Sequence, residues 1–280
     1  MTTHNNTNIT EKNKLTHNFQ IADQIFQSRL MLGTGRYRNS DEAINSIEAS
    51  KASIITVAIR RIKTLKDIGK SNLIDLINWK NLWMLPNTAG CETADEAIRI
   101  ASLGIEINKQ VGQSDNRFIK LEVISDSNNL LPDPIGTLKA AEYLVNKNFV
   151  VLPYIYPDPI LAKQLEDIGC HAIMPLGSPI GSGQGIQNLE NIKIILENAK
   201  VPIVIDAGIS RASEASQAME MGATAVLLNT AVAKSSNPTM MAEAMKLSVI
   251  SGRNCYLAGI MKTQSNGYSS SPENGRLKLI

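Results

Sequence analysis

Two residues in the stretch Phe118-Ile-Lys-Leu-Glu-Val-Ile124 have the types and spacing for chemistry. Lys120 and Glu122 stand two apart in an apolar, β-branched run, so in a strand their side chains leave the same face. A lysine kept from water can shed its proton, attack a carbonyl and form an imine. Burial lowers the pKa of such a lysine and a carboxylate beside it raises it; the sequence does not choose between the two. Asp206, closing the apolar run 202–206, is a second carboxylate of use to the same reaction, because imine formation and tautomerisation need several proton transfers. Each of the three also has a plainer reading. Lys120 and Glu122 suit a structural ion pair, or a lysine whose stem packs while its head reaches water, and Asp206 suits a helix cap.

A second set of residues suits a phosphate. Gly181-Ser-Gly-Gln-Gly185, Asp206-Ala-Gly208 and Asn229-Thr230 each follow an apolar run, and Gly33-Thr-Gly35 does the same near the N-terminus. Backbone N–H groups near Gly181, Ala207, Gly208, Asn229 and Thr230 are candidate phosphate donors. Turns use glycine too, so the argument rests on several such segments converging on one place. A bulky residue at Gly208 is expected to block the phosphate at a rim position without loss of fold.

Other chemistries find little support. His4, His17 and His171 do not cluster, and Cys91, Cys170 and Cys255 are odd in number with no CxxC pair. No metal site, disulfide framework or cofactor is expected from them, and reduced thiols fit a cytosol-like compartment. A net charge of +2 and the lack of a basic run with interleaved aromatics argue against a nucleic-acid partner. No apolar run approaches the roughly 20 residues that cross a membrane.

The elements that must hold these residues recur along the chain. Eight short apolar runs stand at 29–32, 53–59, 82–85, 118–124, 150–154, 172–176, 202–206 and 225–228, each followed by a helical pattern. Continuous apolar strands buried on both faces, alternating with helices, predict a (βα)8 TIM barrel of the α/β class; an open doubly wound sheet is the rival topology. Thr93 is expected to cap one helix, and Ser213 to open another that ends at Gly222. The catalytic domain is placed at residues 21–261, after a disordered N-terminal arm at 1–20 and before a flexible tail at 262–280. The stretch around Asn108 to Asn116 reads as surface variation. In such a barrel the site lies at the C-terminal ends of the strands, where the lysine, the carboxylates and the glycine segments all fall.

At those strand ends the sequence resembles the thiazole synthase family. The matching stretches include Leu85-Pro-Asn-Thr-Ala-Gly-Cys91, Lys120-Leu-Glu-Val123, Met174-Pro-Leu-Gly-Ser-Pro-Ile-Gly-Ser-Gly-Gln-Gly185, Asp206-Ala-Gly-Ile209 and Leu228-Asn-Thr-Ala231, in the family's order. The resemblance implies a transferase that condenses 1-deoxy-D-xylulose 5-phosphate, iminoglycine (dehydroglycine) and sulfur into the thiazole phosphate precursor of thiamine. The sulfur would arrive as the C-terminal thiocarboxylate of a small sulfur-carrier protein. The family's imine-forming lysine falls on Lys120 and its nearby acidic residues on Glu122 and Asp206. Its sugar-phosphate contacts fall on Gly181, Ala207, Gly208, Asn229 and Thr230. A homo-oligomer, with a tetramer in mind, and a cytoplasmic or plastid-stromal setting complete the expectation. Ser210 stands where the family usually has glycine, and Ile260 where an arginine often follows Gly259. The rivals are another imine-forming barrel, such as an aldolase acting on sugar phosphates, and a non-catalytic barrel that binds the carrier as a scaffold.

Overall fold

A computed structural model describes residues 17–66 and 73–270. Residues 1–16 of the expected arm and 271–280 of the expected tail lie outside the described residues. Strands β1 (Phe19–Ile21) and β2 (Gln24–Phe26) form an antiparallel hairpin. Eight more strands make one parallel sheet: β3 (Leu30–Gly33), β4 (Ile54–Ala58), β5 (Trp83–Asn87), β6 (Phe118–Leu121), β7 (Val150–Ile155), β8 (Met174–Pro175), β9 (Val204–Asp206) and β10 (Ala225–Leu228). Their order is β8-β7-β6-β5-β4-β3-β10-β9, and bridges from Ile173 to Ile203 and from Leu176 to Asp206 close the ring. Helices fill the connections: α1 (Ser40–Ser50), α2 (Ile59–Lys66), α3 (Leu73–Leu76), α4 (Ala94–Gln110), α5 (Pro134–Asn146), α6 (Pro159–Asp167), α7 (Leu189–Asn198), α8 (Ala212–Glu220), α9 (Thr230–Ala233) and α10 (Pro238–Ala258). The fold is the expected (βα)8 barrel, and each of the eight apolar runs overlaps one of its strands.

Strand alternation sorts the core into two compartments. Ile55, Val57, Met84, Ile119, Leu121, Val151 and Ile205 pack outward in the layer shared with the helices. Met31, Ile54, Leu85, Phe118, Leu152, Val204 and Leu227 pack in a separate cluster, the barrel interior. Lys120 and Glu122 share the parity of Phe118 and point inward with it.

Three helices begin alike, because an Asx side chain caps the first turn and a proline with pre-set φ takes the first helical position. Asp133 accepts from the Ile135 N–H, Asp158 from those of Ile160 and Leu161, and Asn237 from that of Met240. Thr93 caps α4 as expected. Ser213 does not cap α8: the helix opens a residue earlier, and Glu214 Oε2 accepts the N–H groups of Ser210 and Arg211. A longer carboxylate reaching back from inside the turn outcompetes the short hydroxyl. The stretch from Asn108 to Asn116 is likewise no surface feature at its ends, for both residues are buried. Asn108 Nδ2 donates to Asn116 O at 2.9 Å and Asn116 Nδ2 to Met84 O at 2.7 Å, clasping the end of α4 to β5.

The hairpin plugs the N-terminal end of the barrel. Only four phenylalanines occur in the chain, and three of them, Phe19, Phe26 and Phe118, gather there with Trp83. Phe26 meets Phe118 at 6.1 Å and 82°, and Trp83 meets Phe118 at 5.4 Å and 74°, both edge to face. Arg29 fastens the hairpin to the ring by donating to Thr224 O at 2.6 Å and Asn18 O at 2.8 Å. Truncating the plug, Phe26→Ala, should cost about 3 kcal/mol through lost burial and a cavity. Urea unfolding measures it; a loss under about 1 kcal/mol would show that the hairpin does not brace the barrel.

Candidate active site

Lys120 lies within the barrel near its C-terminal mouth, 4% exposed. Its Nζ is 2.9 Å from Glu122 Oε1 and 2.5 Å from Asp206 Oδ2, and sits 5.5 Å from the centre of the Tyr154 ring. Glu122 and Asp206 are 3% and 2% exposed, so one cation and two carboxylates share a site closed to bulk water. The neighbouring strand holds Glu122 in place. Asn87 pairs with Lys120 in the β5–β6 register and donates Nδ2 to Glu122 Oε1 at 2.9 Å. Asn87 Oδ1 in turn accepts from the Ala89 N–H at 2.8 Å, which fixes the amide orientation. The Thr88 hydroxyl bridges the backbone N–H and C=O of Glu122, at 2.8 Å each.

The two influences on Lys120 left open by the sequence are now ordered. Burial works to lower its pKa, but Asp206 and then Glu122 outweigh burial, and the ammonium is held above the ordinary lysine range. The Asp206 carboxyl is pushed up by burial, with the Lys120 charge opposing and Glu122 adding to the rise. Asp206 Oδ2, at 2.5 Å, is within proton-transfer distance of the ammonium.

A cavity of about 540 Å³ opens onto this cluster, within the size range of small-molecule sites. Gly181, Ala207, Gly208, Asn229 and Thr230 all line it together with Lys120, Glu122 and Asp206, so the eight candidate catalytic and phosphate residues share one mouth. Ala207 (φ 64°) and Gly208 (φ 75°) turn the backbone back over the cavity, and Gly181 and Gly183 are also left-handed. The N–H groups of Gly181, Gly183 and Gly208 make no backbone hydrogen bond among the described residues. Others are committed: Gly185 N donates to Gly208 O at 2.9 Å and Ser210 N to Glu214 Oε2 at 2.7 Å. Ser210 does not need a left-handed φ, so its departure from glycine costs the backbone nothing.

One expectation at the rim is overturned. A Cβ on Gly208 would lie 2.5 Å from the Ser178 backbone nitrogen and 2.8 Å from its Cβ. A bulky residue there would therefore force β8 and β9 apart instead of merely shielding a ligand.

Sequence reasoning passed over Asn87, Thr56 and Tyr154. The available signal was parity: each is polar or amphipathic at an inward position of an otherwise apolar strand. Thr56 Oγ1, Tyr154 Oη and Asn229 Oδ1 are buried without hydrogen-bond partners. His171 lies at the opposite end of β8 beside Asp23 of the hairpin, away from the mouth. Among the described residues no group of three or more His, Cys, Asp and Glu side chains could hold a metal ion, and no helix is long and apolar enough to cross a membrane.

Several known proteins are similar to this chain. A chain of the Amycolatopsis orientalis BexX/CysO complex superposes with a TM-score of 0.75 at 29% identity, covering 88% of this chain and 98% of that one. A thiamine phosphate pyrophosphorylase from Pyrococcus furiosus (TM-score 0.51, 15% identity, 79% and 94% covered) shares the barrel alone. The thiazole synthase of Gracilaria tenuistipitata var. liui is 67% identical over 261 residues, 93% of this chain and 95% of the relative. That of Synechococcus sp. is 58% identical over 255 residues, 91% and 92%. The family model described as "Thiazole biosynthesis protein ThiG" matches residues 20–272, and the chain belongs to this family of thiazole synthases.

Proposed function

We propose that the chain is a transferase that builds the thiazole phosphate precursor of thiamine through an imine on Lys120. Its substrates would be 1-deoxy-D-xylulose 5-phosphate, iminoglycine and sulfur from the C-terminal thiocarboxylate of a small carrier protein. The observation that carries the reading is the Lys120 amine gripped between Glu122 and Asp206 at the bottom of an open cavity. A purely structural ion pair has no need of a cavity leading to it.

Asp206 takes a proton from Lys120, and the freed amine adds to the substrate ketone. Protonation of the resulting hydroxyl and loss of water leave the imine. Its electron withdrawal acidifies the neighbouring C–H, so the two carboxylates can move that proton and shift the carbonyl along the sugar, preparing the carbon that sulfur attacks. The phosphate would be held at Gly181, Ala207, Gly208, Asn229 and Thr230, which line the cavity and among which Gly181 and Gly208 keep N–H groups without backbone partners.

The carrier partner is supported by the BexX relative, which is solved in complex with a second protein, CysO, and by the open mouth that a flexible tail could enter. Self-association into a homo-oligomer, up to a tetramer, is supported by an apolar stripe along α10 and just past it: Met240, Leu247, Ile250, Leu257 and Met261 are all exposed at helical spacing. A plastid stroma or a bacterial cytoplasm fits relatives from a red alga and a cyanobacterium.

Lys120→Arg keeps the charge but cannot form an imine, so borohydride with deoxyxylulose phosphate should leave no adduct on a protein of native circular dichroism. An adduct on another lysine of the unaltered chain would sink the mechanism. The raised pKa of Lys120 gives a second prediction with a definite sign. Imine formation needs the neutral amine, so its rate should climb with pH through the alkaline range, and Glu122→Gln, by removing one anion beside the ammonium, should shift that climb to lower pH. A shift to higher pH, or none, contradicts the electrostatics. Thr230→Val removes a hydroxyl at the cradle with little change of volume and should raise the half-saturating deoxyxylulose phosphate concentration about tenfold. Unchanged saturation would remove Thr230 from the phosphate site.

A further inference from the structure

Arg36 and Arg61 stand on the wall of the same cavity, after β3 and β4, on the arc of the mouth between the phosphate cradle and Lys120. Arginines nearby are neutralised: Arg38 pairs with Glu42 at 2.8 Å, and Arg60 pairs with Glu96. Arg36 and Arg61 make no ion pair or hydrogen bond among the described residues, although Arg61 directly follows the paired Arg60 in α2. Both are nevertheless held toward the cavity. The Arg61 guanidinium lies over Gly35, where a Cβ would collide with its Nη1 and stand 3.3 Å from Asn229 Nδ2. Arg36 sits in the left-handed region at φ 72°, a conformation that costs a non-glycine residue energy and fixes where its side chain leaves the loop. Beside them Thr56, 7% exposed, lines the cavity with a hydroxyl that has no partner.

We propose that Arg36, Arg61 and the Thr56 hydroxyl form a carboxylate subsite that receives the carboxylate of the small imine substrate and retains it as the thiazole is built. The assignment rests on the reading under Proposed function and names the site of its second substrate. That reaction brings two small anionic groups into one mouth. The glycine cradle, with its free N–H groups, serves the phosphate. A planar carboxylate suits the guanidinium fork, which offers two parallel donors, and a neighbouring hydroxyl completes the set. Two unpaired cations also draw the anionic substrate into the mouth that holds Lys120.

The test separates the subsite from the reading on which it rests. Borohydride trapping with deoxyxylulose phosphate alone reports the Lys120 imine, and turnover at varied glyoxylate with excess ammonium, which together generate iminoglycine, reports the second substrate. Arg61→Met should trap the imine at the same sugar-phosphate concentration as the unaltered chain, yet raise the half-saturating glyoxylate concentration at least tenfold. Arg61→Lys should fall between them and keeps the test decisive if the methionine variant folds poorly. A rise in half-saturating sugar phosphate would give Arg61 to the phosphate and overturn the proposal. A rise confined to the carrier protein would give the pair to the carrier's terminal anion, and unchanged saturation throughout would leave it no role; either result also overturns it. If the unaltered chain traps no imine, the Lys120 mechanism fails on its own, and the glyoxylate dependence still decides the role of Arg61.

Discussion

One buried ammonium between two buried carboxylates sets the terms for the rest of the barrel. Bringing each ion out of water costs several kcal/mol after relaxation, and the mutual attraction offsets this only when geometry and further hydrogen bonds are good. The surroundings of Lys120 meet that demand. Asn87 and Thr88 fix Glu122 from the adjacent strand, and Asp206 meets Nζ from β9, three strands away round the ring from β6. A single sheet could not bring β6 and β9 face to face; a closed ring does.

The interior divides along its axis as a result. At one end aromatic rings and the hairpin exclude water and hold the strands together. At the other end the same inward positions carry Thr56, Asn87, Lys120, Tyr154 and Asp206, of which the Thr56 and Tyr154 hydroxyls have no partner within the protein. Stability is concentrated at the floor, which leaves the mouth free to keep donors and acceptors unsatisfied.

Much of this was legible in the sequence, and the reasons differ by residue. Lys120 and Glu122 stood out because two charges interrupt an apolar strand on one face, a cost that a chain does not bear idly. The strands were legible because burial on both faces makes them continuously apolar. The β1–β2 hairpin was not, since strands of three residues carry no readable period. Asn108 and Asn116 misled because asparagine is ordinarily a turn residue, and only the fold brings backbone carbonyls to their amides. Gly208 was legible as a strand-end glycine, but its close approach to Ser178 joins residues from different strand ends that no local pattern connects. Arg61 escaped notice because a basic pair reads as surface, and only the structure distinguishes the neutralised Arg60 from its unpaired neighbour.

The ring is not equally strong all the way round. β4 and β5 pair over five residues, whereas β8 is two residues long and meets β9 only through isolated bridges. Pairing is thin at this seam, as it is at β5–β6 with its one register pair, so its amides should exchange with solvent sooner than those of β4–β5. The loops that form the phosphate cradle hang from the staves on either side of it. A ligand that grips both loops acts as a clasp across the seam, so occupancy of the mouth and breathing of the barrel wall are thermodynamically linked.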